Sequence, residues 1–409
     1  MSNELYGKDP DQMTLIIGGK EIIVESMTLI KTIDTAADAF SAVIPWEPGK
    51  DPELDRVTLP FTYENAEIYI GNDLESAQIL YDVKNKLTNE GSTKELGGFS
   101  KTADIIDSTV IPPYQMSNVK LTDRCRQQCT PFGIHVIVGE DAERELLQTR
   151  RVTVVTRRAR GFPVGVTLIG NISNYQPINI STAASVTSRL VVDERKFPRV
   201  KAEPTDGVFD HLAKLAAQRG LLLSCTKIGD LLITKANVNA EPVGTIEESI
   251  SPLSGEYIAE FKGRDRFAVY RAITSSNSSR RPRGQSIARD AIVLSPRLLS
   301  FNADDDIPGN AQNAAEWRKN KTAADAMTLE FPVNSWYAPN GTVWQPNTTV
   351  VIISPTMGIP DGFTFMIARV EYNFTTAGAS AKLSLKPPTV YTTGEVEEPW
   401  LEGPEGEVE

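Results

Sequence analysis

The sequence GGFSKTADIIDS, residues 97–108, predicts a strand ending, a turn and one helical turn in quick succession. Its two glycines are expected to end a preceding strand, because glycine leaves a strand no side chain to pack. Ser100 or Thr102 is a candidate helix N-cap, and Asp104 lies where the helix dipole favours negative charge. The segment therefore predicts a junction between a β-rich region and a small helical region.

Outward from this junction, short segments rich in β-branched residues alternate with turns. On the N-terminal side they predict strands of an antiparallel sheet or barrel at residues 13–17, 20–33, 40–46, 66–70 and 78–85. Towards the C-terminus similar segments occur at residues 257–274, 327–331, 349–354, 363–374 and 381–385. The pattern thus predicts two β-rich regions.

A short helix-strand element occurs twice between these regions. Residues 121–130 predict a helix that Gly133 stops before a strand at 134–138. Residues 208–219 predict a second helix that Gly220 stops before a hairpin. The hairpin strands are expected at residues 221–225 and 231–234, and a further short helix at 311–317. We interpret the repeat as a duplication, in which Gly133 corresponds to Gly220; coincidence is the alternative.

The composition is that of an ordinary globular chain. With 409 residues and 40% apolar content, two to four domains with substantial cores are expected. The chain lacks an apolar run of about eighteen residues, and its first twelve residues are polar, so neither a membrane anchor nor a secretion signal is expected. Three cysteines are an odd and sparse set, which predicts folding in a reducing cytosol.

The negative charge is concentrated at the C-terminus. Seven glutamates within residues 395–409 supply −7 of the net charge of −11, so the rest of the chain carries −4. This acidic tail contains Trp400 and Leu401, an apolar pair that is a candidate partner-docking site. Plain disorder of the tail is the alternative.

Two arginine clusters were considered as nucleic-acid sites. They consist of Arg150, Arg151, Arg157, Arg158 and Arg160, and of Arg280, Arg281 and Arg283. Binding of single strands uses aromatic residues among the cations, and only Phe162 lies near the first cluster. We therefore predict a solvated strand face or an ion-pair surface between subunits.

Candidates for metal binding and acid-base chemistry are few. The chain has two histidines, His135 and His211, and both are predicted to be core or boundary residues without a ligand role. Cys125 and Cys129 have the spacing of half a zinc site, but their apolar stripe with Leu121 favours buried packing. No metal or cofactor is predicted.

Other motifs match catalytic or calcium-binding patterns only in part. Ser224 to Lys227 matches Ser-x-x-Lys, but the segment predicts a strand and hairpin instead of the required helix start. Asn302, Asp304 and Asp306 resemble half a calcium loop, whereas Ile307 and Asn313 replace the required glycine and glutamate. The carboxylate pairs Asp104 with Asp107 and Glu247 with Glu248 are too common to indicate glycosidase chemistry.

Residues 97–108 also resemble the glycine-arginine-serine-lysine-threonine-alanine-aspartate signature of the baseplate central hub proteins of Mu-type contractile-tailed phages. The matching positions are Gly98, Ser100, Lys101, Thr102, Ala103 and Asp104. Phe99 departs from the signature, in which arginine is usual. The resemblance covers most of the chain, is also strong at residues 206–236, and extends to the T-even hub and the N-terminal part of type VI secretion spike proteins.

The resemblance implies an α+β, mainly β fold with two related tail-tube-type β-barrel domains and two small α/β modules. The implied limits are a first barrel at 1–96, a small α/β domain at 97–172, a second barrel at 173–200 and 241–390, a helix-plus-hairpin module at 201–240 and a flexible acidic tail at 391–409. Later strands are allowed to complete the first barrel.

The resemblance further implies a structural protein and not an enzyme. Three subunits would form a ring that adapts the sixfold tail tube to the threefold cell-puncturing spike and forms part of the DNA ejection channel. The implied partners are the trimeric spike, the tail tube protein or tube initiator, and other baseplate (wedge) proteins, while genome DNA passes without specific binding. The implied location is the virion tail baseplate, after assembly in the host cytoplasm.

Two alternatives stay open from the residues alone. One is a tail-associated peptidoglycan or polysaccharide hydrolase that uses an Asp/Glu pair. The other is a glycan-binding or receptor-binding tail protein.

Overall fold

The computed structural model of the chain describes residues 12–88, 91–159, 162–168, 184–248, 256–274, 285–303, 308–376 and 378–391. Strands predominate among them, which confirms the mainly β class. The N-terminal part contains strands β1 (Met13–Ile17), β2 (Lys20–Ile22), β3 (Ser26–Thr32), β4 (Ala39–Pro45), β5 (Asn65–Ile70), β6 (Asp73–Thr88) and β7 (Gly91–Ser100), with helix α1 (Pro52–Val57) after β4. Buried and partly exposed side chains alternate along β3 and β4, as expected for strands with one face in a core.

The middle of the chain contains most of the described helices. They are α2 (Ala103–Asp107), α3 (Leu121–Cys129), α4 (Glu140–Leu146) and α5 (Val208–Ala217). The strands among them are β8 (Gln115–Lys120), β9 (Val136–Val138), β10 (Leu147–Ala159), β11 (Phe162–Leu168), β12 (Ala184–Glu194), β13 (Lys196–Lys201), β14 (Leu222–Cys225) and β15 (Leu231–Thr234).

The C-terminal part returns to strands around one long helix. The strands are β16 (Thr245–Glu247), β17 (Ile258–Phe261), β18 (Val269–Thr274), β19 (Gln285–Arg289), β20 (Leu298–Ala303), β21 (Met327–Val333), β22 (Thr349–Ser354), β23 (Ile359–Thr375) and β24 (Gly378–Lys386). Helix α6 (Pro308–Asp325) is longer than the predicted helix at residues 311–317.

One sheet of thirteen strands connects the two β-rich regions. Its order is β17-β21-β24-β23-β3-β4-β7-β6-β5-β1-β2. Outside this path, β22 pairs with β23, and β16 pairs with β22. Among the described residues this path is open from β17 to β2, so closure into barrels stays a prediction. The two regions are therefore parts of one hydrogen-bonded sheet.

Strand β23 makes this connection possible. Its first half pairs with β22, and its second half pairs antiparallel with β3, in register from Arg369 opposite Thr32 to Thr375 opposite Ser26. A bulge near Ala368 separates the two halves, and a bulge bends a strand and increases its local twist. The change of partner along β23 therefore joins the N-terminal and C-terminal parts.

A single hydrophobic core follows the same path. Leu15, Leu29 and Phe40 from the N-terminal strands share one cluster with Phe365 and Leu383 from the C-terminal strands. Each fully buried side chain of this size contributes about 1.5–3 kcal/mol relative to an exposed one. The core thus stabilises the two β-rich regions as one body.

The two predicted helix-strand elements also form one body. Helices α3 and α5 pack on each other, and Leu121, Cys125, Leu212 and Leu215 lie in one buried cluster. Strand β9 of the first element pairs in parallel with β15 of the second, in the sheet β14-β15-β9. The helix-glycine-strand order occurs in both elements as predicted, but they share a core and a sheet.

The glycines after the two helices adopt the expected left-handed conformation. Gly133 has a φ of 65° and Gly220 a φ of 68°. A left-handed residue ends a helix cheaply only when it lacks a Cβ atom. The predicted glycine stops are therefore confirmed.

Residues 184–201 lie beside the middle of the chain. Strand β12 pairs with β10, and β13 pairs with β8 in a two-stranded sheet. The prediction had grouped residues 173–200 with the second barrel. Backbone pairing, which the local pattern does not reveal, instead places these strands next to the body formed by α3, α5 and the sheet β14-β15-β9. We call this body the helical domain.

A small separate sheet stands next to α6. Its order is β19-β18-β20, and Tyr270 and Ala272 of β18 point towards Ala311 and Ala315 of the helix. Alternate residues of a strand face opposite sides, so the helix covers one side of this sheet. Within the described ranges, no helix has the length and apolarity needed to cross a membrane.

Candidate functional site

The signature segment lies at a meeting point of three parts of the chain. Gly97 and Gly98 are inside β7, which continues to Ser100, so the prediction that they end the strand is wrong. A Cβ atom at Gly98 would overlap the Phe40 ring and the Ile79 carbonyl oxygen. The glycine is required because strands β4 and β6 approach it closely.

The predicted side-chain cap of α2 is also wrong. Thr102 occupies the N-cap position but makes no capping hydrogen bond with its side chain. The Ser100 Oγ accepts a hydrogen bond from the Asp38 amide (3.0 Å) and lies 2.8 Å from the Thr102 Oγ1. The Ser100 amide in turn donates to the Asp38 carbonyl (2.9 Å). Through these hydrogen bonds the Ser100 and Thr102 hydroxyls link the segment to the connection between β3 and β4.

Lys101 connects the segment to the helical domain. Its Nζ donates to the Gly133 carbonyl (2.9 Å) and lies 3.7 Å from the Asp230 carboxylate. Gly229 packs closely against Lys101. A Cβ atom added at Gly229 would lie only 3.3 Å from the Lys101 amide nitrogen. The lysine of the signature therefore fixes the helical domain against the end of β7.

Asp104 and Phe99 lie beside an aromatic residue of β6. The Tyr81 hydroxyl donates to the Asp104 Oδ1 (3.0 Å), and the Tyr81 and Phe99 ring centroids are 6.2 Å apart. Burial, followed by this hydrogen bond and the charge of Asp107, raises the pKa of Tyr81 to about 12. Phe99, where the family usually has arginine, thus packs on an aromatic ring and stays partly exposed.

A buried ion cluster lies next to the signature segment. The Glu75 carboxylate accepts hydrogen bonds from Lys31 (3.2 Å), Lys227 (2.7 Å) and Gln345 (2.8 Å). Only 2% of the Glu75 side chain is exposed. Lys31 belongs to β3, Lys227 to the β14–β15 turn and Gln345 to the segment before β22. One carboxylate therefore joins the first β-rich region, the helical domain and the C-terminal region.

The charge states of this cluster follow from its surroundings. Burial by itself raises the pKa of Glu75, but Lys31 and Lys227 outweigh it, so that the pKa is lowered. Nearby, burial raises the pKa of Asp38, against the opposing effect of Lys31. Burial also raises the pKa of the Cys225 thiol, which faces Asp38. Glu75 is therefore the charged member that holds the lysines.

A second ion cluster is centred on Asp34, just after β3. Its carboxylate accepts from Lys321 (2.5 Å), Lys386 (3.2 Å) and the Tyr391 hydroxyl (3.0 Å). Burial raises the pKa of Asp34 less than the two lysines lower it, so the net shift is downward. This cluster fastens helix α6 and the end of β24 to the N-terminal region. The local sequence around Asp34 gave no signal for it, because its partners are 287 to 357 positions away.

The two histidines have different environments. His211 is buried, its Nε2 accepts from the Arg124 Nε (3.3 Å), and burial first, then Arg124, lowers its pKa to about 4. This confirms a core histidine. His135 precedes β9 and is exposed, so its predicted place within a strand and in the core or its boundary is wrong. After the left-handed residue Gly133, strand β9 begins only at Val136, so His135 lies before the strand.

The cysteines are packing residues. Cys125 and Cys129 are buried in the helical domain, as predicted, and burial raises the pKa of Cys129 to about 12 and that of Cys125 well above its usual value. A thiol with such a pKa stays protonated and is a poor metal ligand. In the part of the chain that the structure describes, no group of three His, Cys, Asp or Glu residues is arranged to hold a metal ion.

The remaining motifs have structural roles or lie outside the described residues. Ser224 is in β14 and Lys227 in the following turn, as predicted. The Glu248 carboxylate accepts hydrogen bonds from the Ser354 hydroxyl and the Thr356 amide, which gives this residue a structural role. The backbone of the first four arginines of the first cluster lies in β10, and Asn302 and Asn313 lie in β20 and α6. Outside the described residues are Arg160, Arg280, Arg281, Arg283, Asp304, Asp306, Ile307, Trp400 and Leu401.

Comparisons with known proteins agree with the resemblance. Residues 307–394 match the family described as Mu phage baseplate assembly protein GpP, fourth domain. The chain is 22% identical over 340 residues to the baseplate hub protein gp44 of Escherichia phage Mu, covering 80% of this chain and 74% of that protein.

Solved structures share the fold. The 43 kDa tail protein of prophage MuSo2 from Shewanella oneidensis has a TM-score of 0.66 and 20% identity, covering 93% of this chain and 99% of that one. The E. coli c3393 protein, a type VI secretion component described as similar to the T4 tail proteins gp27 and gp5, has a TM-score of 0.50 and 8% identity, covering 94% of this chain and 79% of that one. The resemblance to phage baseplate and tail hub proteins is thereby confirmed.

Proposed function

We propose that this chain is a structural hub of a phage tail baseplate. Three copies form a ring that adapts a sixfold tail tube to a threefold spike, and the ring forms part of the DNA ejection channel. The two β-rich regions of each copy then supply six similar units around the channel. The similarity to the Mu hub protein and to the prophage MuSo2 tail protein supports this assignment.

The observation that carries the proposal is the pairing of β3 with β23. Seven residue pairs, from Thr32 opposite Arg369 to Ser26 opposite Thr375, hold the two β-rich regions side by side in one sheet. The Glu75 cluster adds a buried ion pair and the Asp34 cluster a partly buried one on the same connection. A subunit that presents two β-rich units in a fixed relation fits a ring with threefold symmetry and six units.

The domain scheme also belongs to this proposal. The tail-tube-type barrels would be built from residues 1–96 and from 241–390, without β12 and β13, and closed by strands within or between copies. Strand β17 is at one edge of the sheet that the described residues form, and closure in a ring would remove such an edge. The small modules at 97–172 and 201–240 and the acidic tail at 391–409 complete the scheme.

The proposed role is an assembly role without catalysis. The proteins that resemble this chain are described as baseplate and tail proteins. The partners that fit are a trimeric spike, the tail tube protein or its initiator and wedge proteins, with the virion baseplate as location and the host cytoplasm as the place of assembly. Signature residues Gly98 to Asp104 would act as a structural junction, and Trp400 with Leu401 as a docking peptide for a partner.

The genome is proposed to pass through the ring without specific binding. Apart from the acidic tail, the chain carries a net charge of only −4, which offers phosphate no general attraction. Ejection should therefore depend weakly on the cations of the chain.

The test is the mass of the full-length protein in solution by light scattering, together with negative-stain images alone and with its spike protein. We expect a trimeric ring with a central channel. A stable monomer that forms no ring, even beside the spike protein, would overturn the proposal. Clearing of a peptidoglycan suspension or sugar release by the purified chain would instead indicate the hydrolase, and glycan binding by a monomer the receptor-binding role.

A further inference from the structure

One surface of the first β-rich region exposes aromatic side chains. Phe61, Tyr63, Tyr81 and Phe99, which we call the aromatic patch, include a ring contact of 5.7 Å between Tyr63 and Tyr81 and one of 6.2 Å between Tyr81 and Phe99. Phe61 is 81% exposed and Tyr63 55%. Exposed aromatic clusters are typical of protein interfaces, in which they supply most of the binding energy.

The backbone holds these aromatic residues in place. Phe61 and Tyr63 have φ values of 65° and 53°, which non-glycine residues rarely adopt. Tyr81 is the additional residue in a bulge of β6 opposite β7. Bulges and strained backbone are retained where they direct a side chain for function. Asp104 and Asp107 border the patch and give it negative charge.

The sheet β19-β18-β20 has an open side of the opposite character. Helix α6 covers the side of Tyr270 and Ala272, and the strand alternation places the neighbouring residues on the other side. The residues on this side are Val269, Arg271, Ile273, Gln285, Ile287, Arg289, Leu298, Ser300 and Asn302. We call the part formed by Val269, Ile273, Ile287 and Leu298 with Arg271 and Arg289 the aliphatic face. Ile287 and Leu298 are each more than one third exposed.

The aliphatic face carries cations without acidic partners. The buried Nε of Arg271 has no hydrogen-bond acceptor among the described residues. Neither Arg271 nor Arg289 forms an ion pair with any residue that the structure describes, whereas Arg266 close by is paired with Asp290 at 2.8 Å. Arg289 is exposed and Arg271 is partly exposed, so their accessible guanidinium nitrogens can pair with a carboxylate of another chain.

The two surfaces belong to different sheets of the chain. The aromatic patch is on β6, β7 and the segment before β5, whereas the aliphatic face follows directly after the edge strand β17. Two different complementary surfaces on one chain form a head-to-tail contact, and such contacts generate rings when the rotation closes. Both surfaces are apolar at the centre, and their charges are opposite in sign.

We propose that the aromatic patch of one copy docks on the aliphatic face of the next copy, with Asp104 and Asp107 facing Arg271 and Arg289. The occupant of each surface is thus a second copy of this chain. The inference rests on the proposed ring and adds the contact that closes it. Opposite charge on the two surfaces favours this pairing over patch against patch, which would bring like charges together.

The test uses two surface variants of the full-length protein. The first, Phe61→Asn with Tyr63→Asn, removes the aromatic side chains while asparagine tolerates the left-handed backbone. The second, Ile287→Thr with Leu298→Thr, removes the aliphatic side chains with residues that suit strands. The matched control, Ile23→Thr with Leu87→Thr, changes two apolar residues that are 81% and 84% exposed and lie outside both surfaces.

We expect the control to assemble like the natural protein in analytical ultracentrifugation across a concentration series. Each surface variant alone should dissociate at roughly thirtyfold higher concentration or more, as for loss of interface hot spots. An equimolar mixture of the two variants should form a 1:1 dimer, because one intact patch and one intact face remain. Circular dichroism checks that each variant is folded.

Two results separate the inference from the proposed function. Surface variants that still form the natural trimer, or a mixture that gains no mass over its components, would overturn this contact while the trimer itself stands. A natural protein that stays monomeric at every concentration, also beside its spike protein, would overturn the ring.

Discussion

Lys31 and Glu75 carry charge inside the molecule and form one cluster with the half-exposed Lys227, whereas Phe61, Tyr63 and Leu294 carry apolar side chains on its surface. In an ordinary globular protein charged residues are mostly exposed and large apolar residues mostly buried. The charged residues here join three parts of one chain, and burial makes such contacts specific in geometry. Among the described residues, the exposed apolar side chains have no neighbour that buries them. The contrast separates the contacts that hold one subunit together from the surfaces available to other chains.

The largest effect is expected at the buried side of this contrast. Glu75→Ala should lower the free energy of unfolding by about 3–5 kcal/mol, because Lys31 would stay buried without a carboxylate. Urea unfolding followed by tryptophan fluorescence measures the loss. The control is Glu47→Ala, which removes the exposed ion pair with Lys50 and should change stability little. Equal effects of the two changes would contradict a special role for the buried cluster.

The second effect concerns the buried His211, which should make the free energy of unfolding depend on pH. The pKa of His211 is about 4 in the folded protein, against about 6.5 in an unfolded chain, so the unfolded state takes up the proton first. The stability that the neutral ring provides is complete above about pH 6.5 and falls by about 3 kcal/mol as the pH decreases towards 4. His211→Gln should flatten this part of the curve of unfolding free energy against pH. His135→Gln, at the exposed histidine, is the control and should leave the slope unchanged.

A smaller effect on stability is expected at Gly98, where the contact is close backbone packing and not an ion pair. Gly98→Ala should destabilise the protein by about 1–3 kcal/mol, because the added methyl group overlaps Phe40 and the backbone of Ile79. Gly97→Ala is the matched control, since its methyl group would approach the Asp82 Cβ at 3.3 Å and can be accommodated by a small shift. Thermal unfolding compares the two. If the control destabilises as much as Gly98→Ala, the close approach of β4 and β6 is not the reason for the glycine.

The smallest effect is expected on the exposed side. Phe99→Arg, which introduces the residue usual in the family, should change the free energy of unfolding by less than about 0.5 kcal/mol, because Phe99 is 39% exposed. The same variant should weaken self-association, since it removes an aromatic ring beside Tyr81. Unfolding and sedimentation measured on one preparation test both expectations. A stability loss as large as that of Gly98→Ala would show that Phe99 belongs to the core.

The local elements were predictable because their signals are local. Strand alternation and turns located β1, β4, β5 and β22 to within a residue or so, and the two helix-stopping glycines gave α3 and α5. Short-range packing was less visible. The Gly97 and Gly98 pair suggested a strand end, yet it lies inside β7, because a partner side chain from β4 occupies the space above it.

The junction itself was predictable only in position. Residues 97–108 indicated where the β-rich region meets the helical domain, and Lys101 indeed contacts that domain. The partners of Ser100 and Thr102 were not predictable, since Asp38 is 62 positions away in sequence. Glu75, the residue at the centre of the junction, was missed entirely. A lone glutamate between two predicted strands gives no sign that two distant lysines will bind it.

By itself, the sequence determined the mainly β class, the helix-strand repeat and the family signature, because periodicity, turn chemistry and motif spacing are properties of neighbouring residues. The tertiary structure decided that β23 joins both regions into one sheet, that the two helical elements share one core, and that Glu75 and Asp34 lock distant segments together. These outcomes depend on contacts between residues that are 44 to 357 positions apart. Such contacts follow from the competition of all possible pairings in the folded chain, and no local pattern records them.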